Sequence, residues 1–223
     1  MVGQKTMAKS KRGRGRGKSK SRKKGQSQSR PINWGPNVSS KQRTRDRLIV
    51  VVVIVATIIG GGWFWWSQTQ AMSVFEDLAA AGASTLDRVR TESSAGNDHL
   101  PIGQRITYPS QFPTSGAHDP RPIRGGFYDE PQWPERLVHS QERGNIVIYY
   151  DQLNPADRDL LKDWTSLYTG QWDGVVATPM PGIGRRVVLV AWTKLLRLRK
   201  FDAESAAAFI DAYRGRGPEQ RVR

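Results

Sequence analysis

The segment from Leu48 to Trp66 limits what this chain can fold into more than any other feature. It contains no charged residue, and at about 1.5 Å of rise per residue a helix of this length spans the roughly 30 Å hydrocarbon core of a bilayer. A buried helix of a soluble protein would need apolar partners on every side, and no other part of the sequence is as apolar. We therefore predict a single transmembrane helix over residues 48–66.

The residues on either side of this segment predict its orientation. Four cationic residues closely precede it, whereas no lysine or arginine occurs from Ser67 to Asp87. Cationic flanks stay in the cytoplasm, and the aromatic residues 63–66 favour the opposite interface. We expect a cell (inner) membrane protein with a cytoplasmic N-terminus and its C-terminal domain outside, in the periplasm. A signal peptide cleaved near Thr69 and Ala71 is the alternative, but the apolar run exceeds the usual length of about 7–15 residues.

The net charge of +15 is confined to the N-terminal part of the chain. Residues 1–47 contain 16 lysines and arginines and one acidic residue, so the remainder is neutral. This tail consists mainly of Lys, Arg, Gly, Ser and Gln, and we predict that it is a disordered basic cytoplasmic tail. It could serve topology and solubility alone, bind anionic lipid headgroups, or bind nucleic acid. The neutral outer part gives no reason to expect a nucleic-acid partner.

The chain contains no cysteine, which excludes disulfides, thiol catalysis and thiolate metal sites. We predict that residues 67–97 form a juxtamembrane helix and linker, the helix reaching to about Arg90 with an interruption at Gly82. Residues 98–223 are then a single extracytoplasmic domain, which must be held together by its apolar core.

Local patterns predict both strands and helices in this domain. The clearest strand is Asn145–Tyr150, which we expect to pair with Leu137–His139 in a hairpin; Arg105–Tyr108 is a further short strand. Further strands are predicted at Val175–Thr178 and Arg186–Trp192.

Two helices have clear start signals. One has Asn154 as N-cap and Pro155 at its first position, and the other begins near Asp202. Because strands and helices do not alternate regularly, we predict an α+β domain with a mostly antiparallel sheet, following one N-terminal transmembrane helix.

Three histidines provide the candidate metal ligands. His99, His118 and His139, with Glu142 three residues after the last, offer the nitrogen and oxygen donors that suit a transition metal such as copper or zinc, with Met180 as a further candidate. Gaps of 19 and 21 residues do not form a compact ligand motif. The prediction therefore needs the fold to bring these residues together.

Enzymatic activity has little support in the sequence. Ser115 near His118 and Ser140 beside His139 are close in sequence only, and no nucleophile elbow, P-loop, dinucleotide fingerprint or HExxH motif occurs. Asp129 with Glu130 is typical of solvated loop charges. We name no catalytic and no cofactor-binding residue besides the metal ligands.

Three passages resemble the bacterial family catalogued as domain of unknown function 3105. That family shows a His followed by a Tyr, then P-P-T-S-G-x-H, then H-S-L-E-H-G followed by a strand. The corresponding passages here are His99 with Tyr108, Phe112–His118 (FPTSGAH) and His139–Tyr150 (HSQERGNIVIYY), and the stretch from Ala191 to Glu219 is similar as well. Members typically have a short basic tail, one membrane helix and an extracytoplasmic domain.

The resemblance implies a metal site, because His99, His118, His139 and Glu142 match the motif positions. The chain departs from the family at Arg143, which replaces the second His of H-S-L-E-H-G, and at Gly82-Ala83, where Gly-Cys is common. Replacing imidazole by guanidinium removes a ligand and adds a permanent positive charge. Arg143 could pair with Glu142 and close the site.

Two functions from different classes follow from these observations. One is an interaction or accessory role in the cell envelope, with the lipid bilayer and a membrane protein as partners. The alternative is an extracytoplasmic protein that binds copper or zinc through its three histidines.

Overall fold

The structure is a computed structural model that describes residues 40–223. Most of the predicted basic tail therefore lies outside the described residues. The first element is a long helix, α1 (Ser40–Ala81). Within α1, Arg45–Ala81 is the one stretch of helix in the described part of the chain that is long and apolar enough to cross a membrane, and no residue of its most apolar part is buried.

The C-terminal end of α1 packs into the core of the domain. Phe75 is 1% exposed, and it contacts Trp164 and Tyr168 edge-on with ring centroids 5.4 and 5.1 Å apart. The helix ends at Ala81, beside the interruption predicted at Gly82, whereas the sequence predicted that it continues to about Arg90. A Cβ at Gly82 would lie 2.0 Å from the carbonyl oxygen of Glu204, so only glycine fits at this position. A short 3₁₀ helix (Ala83–Arg88) follows.

The domain contains one mixed sheet of six strands, which are β1 (Arg90–Thr91), β2 (Gly126–Phe127), β3 (Ile146–Tyr150), β4 (Val175–Pro179), β5 (Val187–Ala191) and β6 (Lys194–Leu198). Their order in the sheet is β1-β6-β5-β3-β4-β2. Three of its five pairings are antiparallel, while β3 and β2 both pair with β4 in parallel. The mixed α+β class and the mostly antiparallel sheet are therefore confirmed.

Two predicted helices begin at the residues that the sequence indicated. In α3 (Pro155–Leu167) the side chain of Asn154 accepts a hydrogen bond from the Asp157 N–H. In α4 (Ala203–Tyr213) Asp202 caps the first turn through the Ser205 N–H. Both caps satisfy backbone donors that no helical carbonyl can reach. Helix α3 also provides the crossover that the parallel pair β3 and β4 requires.

Each face of the sheet has its own apolar layer, because alternate residues of the central strand β3 point to opposite sides. Ile146, Ile148 and Tyr150 belong to the layer that contains α3, α4 and the end of α1. Val147 and Tyr149 belong to the layer on the other face, together with Phe112, Ile123 and Leu137. The predicted metal ligands lie on this second side.

The predicted hairpin is wrong, because its first strand is part of a helix, α2 (Pro134–Glu142). Pro134 at the first position and Glu135 in the first turn are helix start signals that outweigh the apolar run after them. Leu137 and Val138 are both fully buried, which adjacent residues of a one-sided strand cannot be. The chain reverses at Gly144, whose φ of +95° favours glycine.

The predicted strand at 105–108 and the start of the predicted linker also need correction. Residues 105–108 form no strand, because the Ile106 N–H and the Arg105 side chain bond to the buried carboxylate of Glu135 instead of to a neighbouring strand. Thr91, the first residue of the predicted linker, belongs to β1 and pairs with Lys194.

Candidate metal centre

Helix α2 contributes two of the predicted ligands. His139 and Glu142 are three residues apart near its C-terminal end, and this spacing puts both side chains on one face. His139 is 2% exposed and Glu142 4%, so both are held within the layer between the helix and the loops.

The other two histidines come from the loop region before α2, where two chain segments pair side by side. The His118 N–H donates to the Asp98 carbonyl at 2.9 Å, and the Leu100 N–H donates to the His118 carbonyl at 2.8 Å. These bonds form an isolated parallel bridge between His99 and His118. A separation of 19 residues in sequence thus becomes direct adjacency in space.

The structure brings all four predicted ligands together. One donor atom from each of His99, His118, His139 and Glu142 lies within 4.8 Å of the other three. The three imidazole centroids form a nearly equilateral triangle with sides of 5.0, 5.1 and 5.0 Å. His118 is fully buried, while the side chain of His99 is 52% exposed, so the cluster opens to solvent on one side.

Backbone carbonyls determine which ring nitrogen is free in the two buried histidines. Nδ1 of His118 is bonded to the Gly116 carbonyl at 2.7 Å, and Nδ1 of His139 to the Asp119 carbonyl at 2.9 Å. A carbonyl can only accept, so Nδ1 must carry the proton in both rings. In the neutral imidazoles the lone pair is therefore on Nε2, which is the nitrogen that faces the cluster.

The donor atoms that face the centre of the cluster make few hydrogen bonds with one another. Nε2 of His118 lies 3.0 Å from Oε2 of Glu142, and Nε2 of His99 lies 3.8 Å from the same oxygen. Nε2 of His139 is buried and has no hydrogen-bond partner within the described chain. Protonation of one imidazole would remove the repulsion between one pair of facing lone pairs only. A single metal cation at the centre would satisfy all four donors.

Burial lowers the pKa of His139 below its ordinary value, and the nearby His118 and Arg143 act in the same direction. His139 is therefore neutral at neutral pH. A neutral imidazole is the form that binds a metal ion.

Arg143 does not close the site by pairing with Glu142, which corrects the possibility raised by the sequence. Its guanidinium lies over the Trp172 ring at 4.9 Å, and Nε donates to Oε2 of Glu219 at 3.3 Å. That same oxygen lies 3.7 Å from Nε2 of His139. Glu219 is thus a carboxylate beside the cluster that the sequence reasoning did not single out, although it falls in the closing stretch that resembles the family.

Asp119 stabilises the loop next to the cluster, and the sequence reasoning did not identify this residue either. Its carboxylate is fully buried and accepts from the Arg121 guanidinium at 2.8 Å and from the Gly103 N–H at 2.8 Å. The bond from Arg121 holds the pKa of this carboxyl well below its usual range. The ionised side chain thereby fixes the loop whose carbonyl orients His139.

The serines near the histidines make no bond to them within residues 40–223. The Ser115 hydroxyl accepts from the Ala95 N–H at 2.9 Å, and the Ser140 hydroxyl donates to the Ile123 carbonyl at 2.8 Å. Asp129 pairs with Arg158. Met180 packs against the apolar layer that includes Tyr149. The arrangement is therefore one of imidazole and carboxylate donors without an activated hydroxyl beside them.

Comparison with curated proteins and with solved structures finds no match. One family model matches residues 99–223, which is more than half of the chain and begins at the first histidine of the cluster. The chain therefore belongs to the family described as "Protein of unknown function (DUF3105)".

Proposed function

We propose that this protein is anchored in the membrane and binds one transition-metal ion, copper or zinc, in its extracytoplasmic domain. The ligands are His99, His118, His139 and Glu142. The observation that supports this most directly is that four donors converge within 4.8 Å while Nε2 of His139 is buried without a hydrogen-bond partner among the described residues. A buried acceptor is costly unless something pairs with it.

The donor set and its dimensions fit these two metals. Imidazole suits zinc and copper, and bonds of roughly 2.0–2.2 Å put the ligands of a tetrahedral site about 3.4 Å apart and the opposite ligands of a planar site about 4.4 Å apart. The four donors lie within 4.8 Å of one another and would move inward to reach these separations. The exposed ring of His99 leaves one side accessible, so the ion can exchange with solvent or with a second molecule.

The membrane location is supported by the apolar stretch of α1 and by the basic tail before it. In this proposal, residues 1–47 are cytoplasmic and contact anionic lipid headgroups, residues 48–66 cross the bilayer, and residues 67–97 lead to the metal-binding domain 98–223. A membrane protein that delivers or receives the ion is the partner that this arrangement suits.

Elemental analysis of the full-length chain in detergent tests the metal site. After treatment with a chelator and loading with Cu²⁺ or Zn²⁺, the protein is expected to retain about one equivalent. His99→Ala should lose most of it and remain folded, because this side chain is half exposed. Asp98→Ala is the matched control: it removes an exposed carboxylate one residue away and should leave the stoichiometry unchanged. Retention of less than about a tenth of an equivalent by the wild-type chain would refute the proposal.

Cysteine labelling in intact cells tests the orientation. The chain has no cysteine, so Ser19→Cys and Glu130→Cys each create a unique thiol, one in the tail and one in an exposed loop. A maleimide that cannot cross the membrane is expected to label Glu130→Cys and to label Ser19→Cys only after the cells are permeabilised. The reverse pattern would contradict the proposed topology.

A further inference from the structure

A cavity of about 410 Å³ lies beside the histidine cluster and shares a wall with it. Trp192 lines this cavity, and its ring stands edge-on to the His118 ring with centroids 6.3 Å apart. Gln141, which lies between His139 and Glu142 in α2, forms another part of the wall. The volume is within the range of roughly 300–1,000 Å³ that is typical of small-molecule sites.

The charge of the cavity wall has one sign. Lys194, Arg216 and Arg221 line it, and no acidic residue of the described part of the chain does. Neither arginine takes part in an ion pair within residues 40–223, whereas Arg214 and Arg223 nearby are each paired with an aspartate. Cations that line a concave site without acidic neighbours attract an anion.

Gln141 provides a second observation that is independent of this charge. Its side chain is fully buried, and both its amide nitrogen and its amide oxygen have no hydrogen-bond partner in the described chain. A buried amide with neither end satisfied is rare in folded proteins and calls for a partner. Gln141 borders the cavity, so a rotation of its side chain toward that space would let a bound molecule with one donor and one acceptor supply both bonds.

The C-terminal segment, residues 215–219, forms the floor of the cavity and packs closely against the end of α2. The Gly215 N–H donates to the Gly144 carbonyl at 2.8 Å, and the Glu219 N–H donates to the Glu142 carbonyl at 3.3 Å. The backbone of Gly217 therefore packs directly against the end of the helix. The floor is held in place by main-chain hydrogen bonds, so the cavity is formed before any ligand enters.

From these observations we infer that the cavity binds a small organic anion with a carboxylate or phosphate group. Arg216, Arg221 and Lys194 bind the anionic group, Gln141 bonds to a polar group of the same molecule, and the Trp192 and Tyr213 rings contact its apolar part. This goes beyond the proposed metal binding and does not depend on it, because none of the cavity's cations belongs to the cluster.

Calorimetric titration of the full-length chain in detergent tests this inference. The protein is first freed of metal with a chelator, so that the anion cannot bind to an ion in the cluster. Inorganic phosphate and malonate are the two probes, and they distinguish a phosphate ligand from a carboxylate ligand. At least one is expected to bind with a dissociation constant near or below about 1 mM, and His99→Ala should bind it equally well.

Charge-reversal variants distinguish binding of the anion in the cavity from general attraction of the anion to a cationic surface. Arg216→Glu is expected to weaken binding at least tenfold. Arg199→Glu makes the same change in charge at an exposed arginine outside the cavity and should leave the affinity unchanged. Equal weakening by both variants, or no binding of either probe to the wild-type chain, would overturn the inference.

Gln141→Met distinguishes a binding role from a structural one. Methionine keeps the volume and removes the two unpaired polar ends, so the melting temperature without ligand should be unchanged or higher. The affinity for the anion should fall by roughly fivefold or more. A variant that binds the anion as well as the wild type would overturn the role of this residue and the inference with it.

Discussion

Replacing His118 by alanine is expected to lower the affinity for Cu²⁺ or Zn²⁺ by at least about 100-fold. This histidine is fully buried and central to the cluster, with Nε2 3.0 Å from Glu142 and its ring 5.0 Å from both other histidines. Its Nδ1 bond to the Gly116 carbonyl orients it before any ion binds. Mutation of a residue that only hydrogen-bonds to a metal ligand typically lowers metal affinity 10–100-fold. Loss of an oriented ligand itself is expected to lower the affinity more.

Competition with a chelator of known affinity measures this effect on the full-length chain in detergent. Tyr108→Phe is the matched control, because the Tyr108 hydroxyl donates to the Ala117 carbonyl at 2.7 Å and so stabilises the same loop without facing the cluster. It should lower the free energy of unfolding by about 1 kcal/mol and change metal affinity by less than about threefold. Metal binding by His118→Ala at wild-type affinity would show that the cluster is not the site.

Elements with local start and stop signals could be predicted from the sequence. Helices α3 and α4 follow their N-cap residues Asn154 and Asp202, and the apolar runs that became β3, β4 and β5 are continuous enough to read as buried strands. In each case the information lies within a few neighbouring residues, which is where propensity and capping act.

Strand β6 was missed because its local signals are weak. Lys194 and Arg197 interrupt the apolar residues of KLLRL, and the strand's solvent-facing positions carry these charges. The tight turn before it uses Thr193 at a φ of +58°, where glycine or asparagine would have marked a hairpin. The two-residue strands β1 and β2 could not be predicted at all, since their pairing depends only on distant partners.

The candidate site was predictable in its members but not in its geometry. Residue chemistry and the family resemblance indicated the three histidines and Glu142, whereas spacings of 19 and 21 residues gave no reason for them to meet. Their convergence depends on α2, of which the sequence predicts residues 137–139 as a strand, and on the parallel bridge between His99 and His118. Glu219 approaches His139 from 80 residues away, which no local pattern could show.

Replacing Gly217 by alanine is expected to lower the free energy of unfolding by about 3 kcal/mol. A Cβ at this position would lie 2.1 Å from the Glu142 carbonyl oxygen and 2.3 Å from the Gly144 nitrogen. Both neighbours are backbone atoms at the end of α2, so neither can move without displacing the helix turn that carries Glu142. Metal affinity should fall as well, because Glu142 and the nearby Glu219 would both shift.

Urea unfolding of the full-length chain in detergent, followed by near-ultraviolet circular dichroism, measures this loss of stability. Gly182→Ala is the control, since its Cβ would meet nothing within 4 Å and only its φ of +92° opposes the change. That conformational cost is about 1–2 kcal/mol, and metal affinity should not change. If Gly217→Ala were no less stable than Gly182→Ala, the C-terminal segment would not be packed against α2 as described. The end of α2 that carries Glu142 would then be held in place by other contacts within the domain.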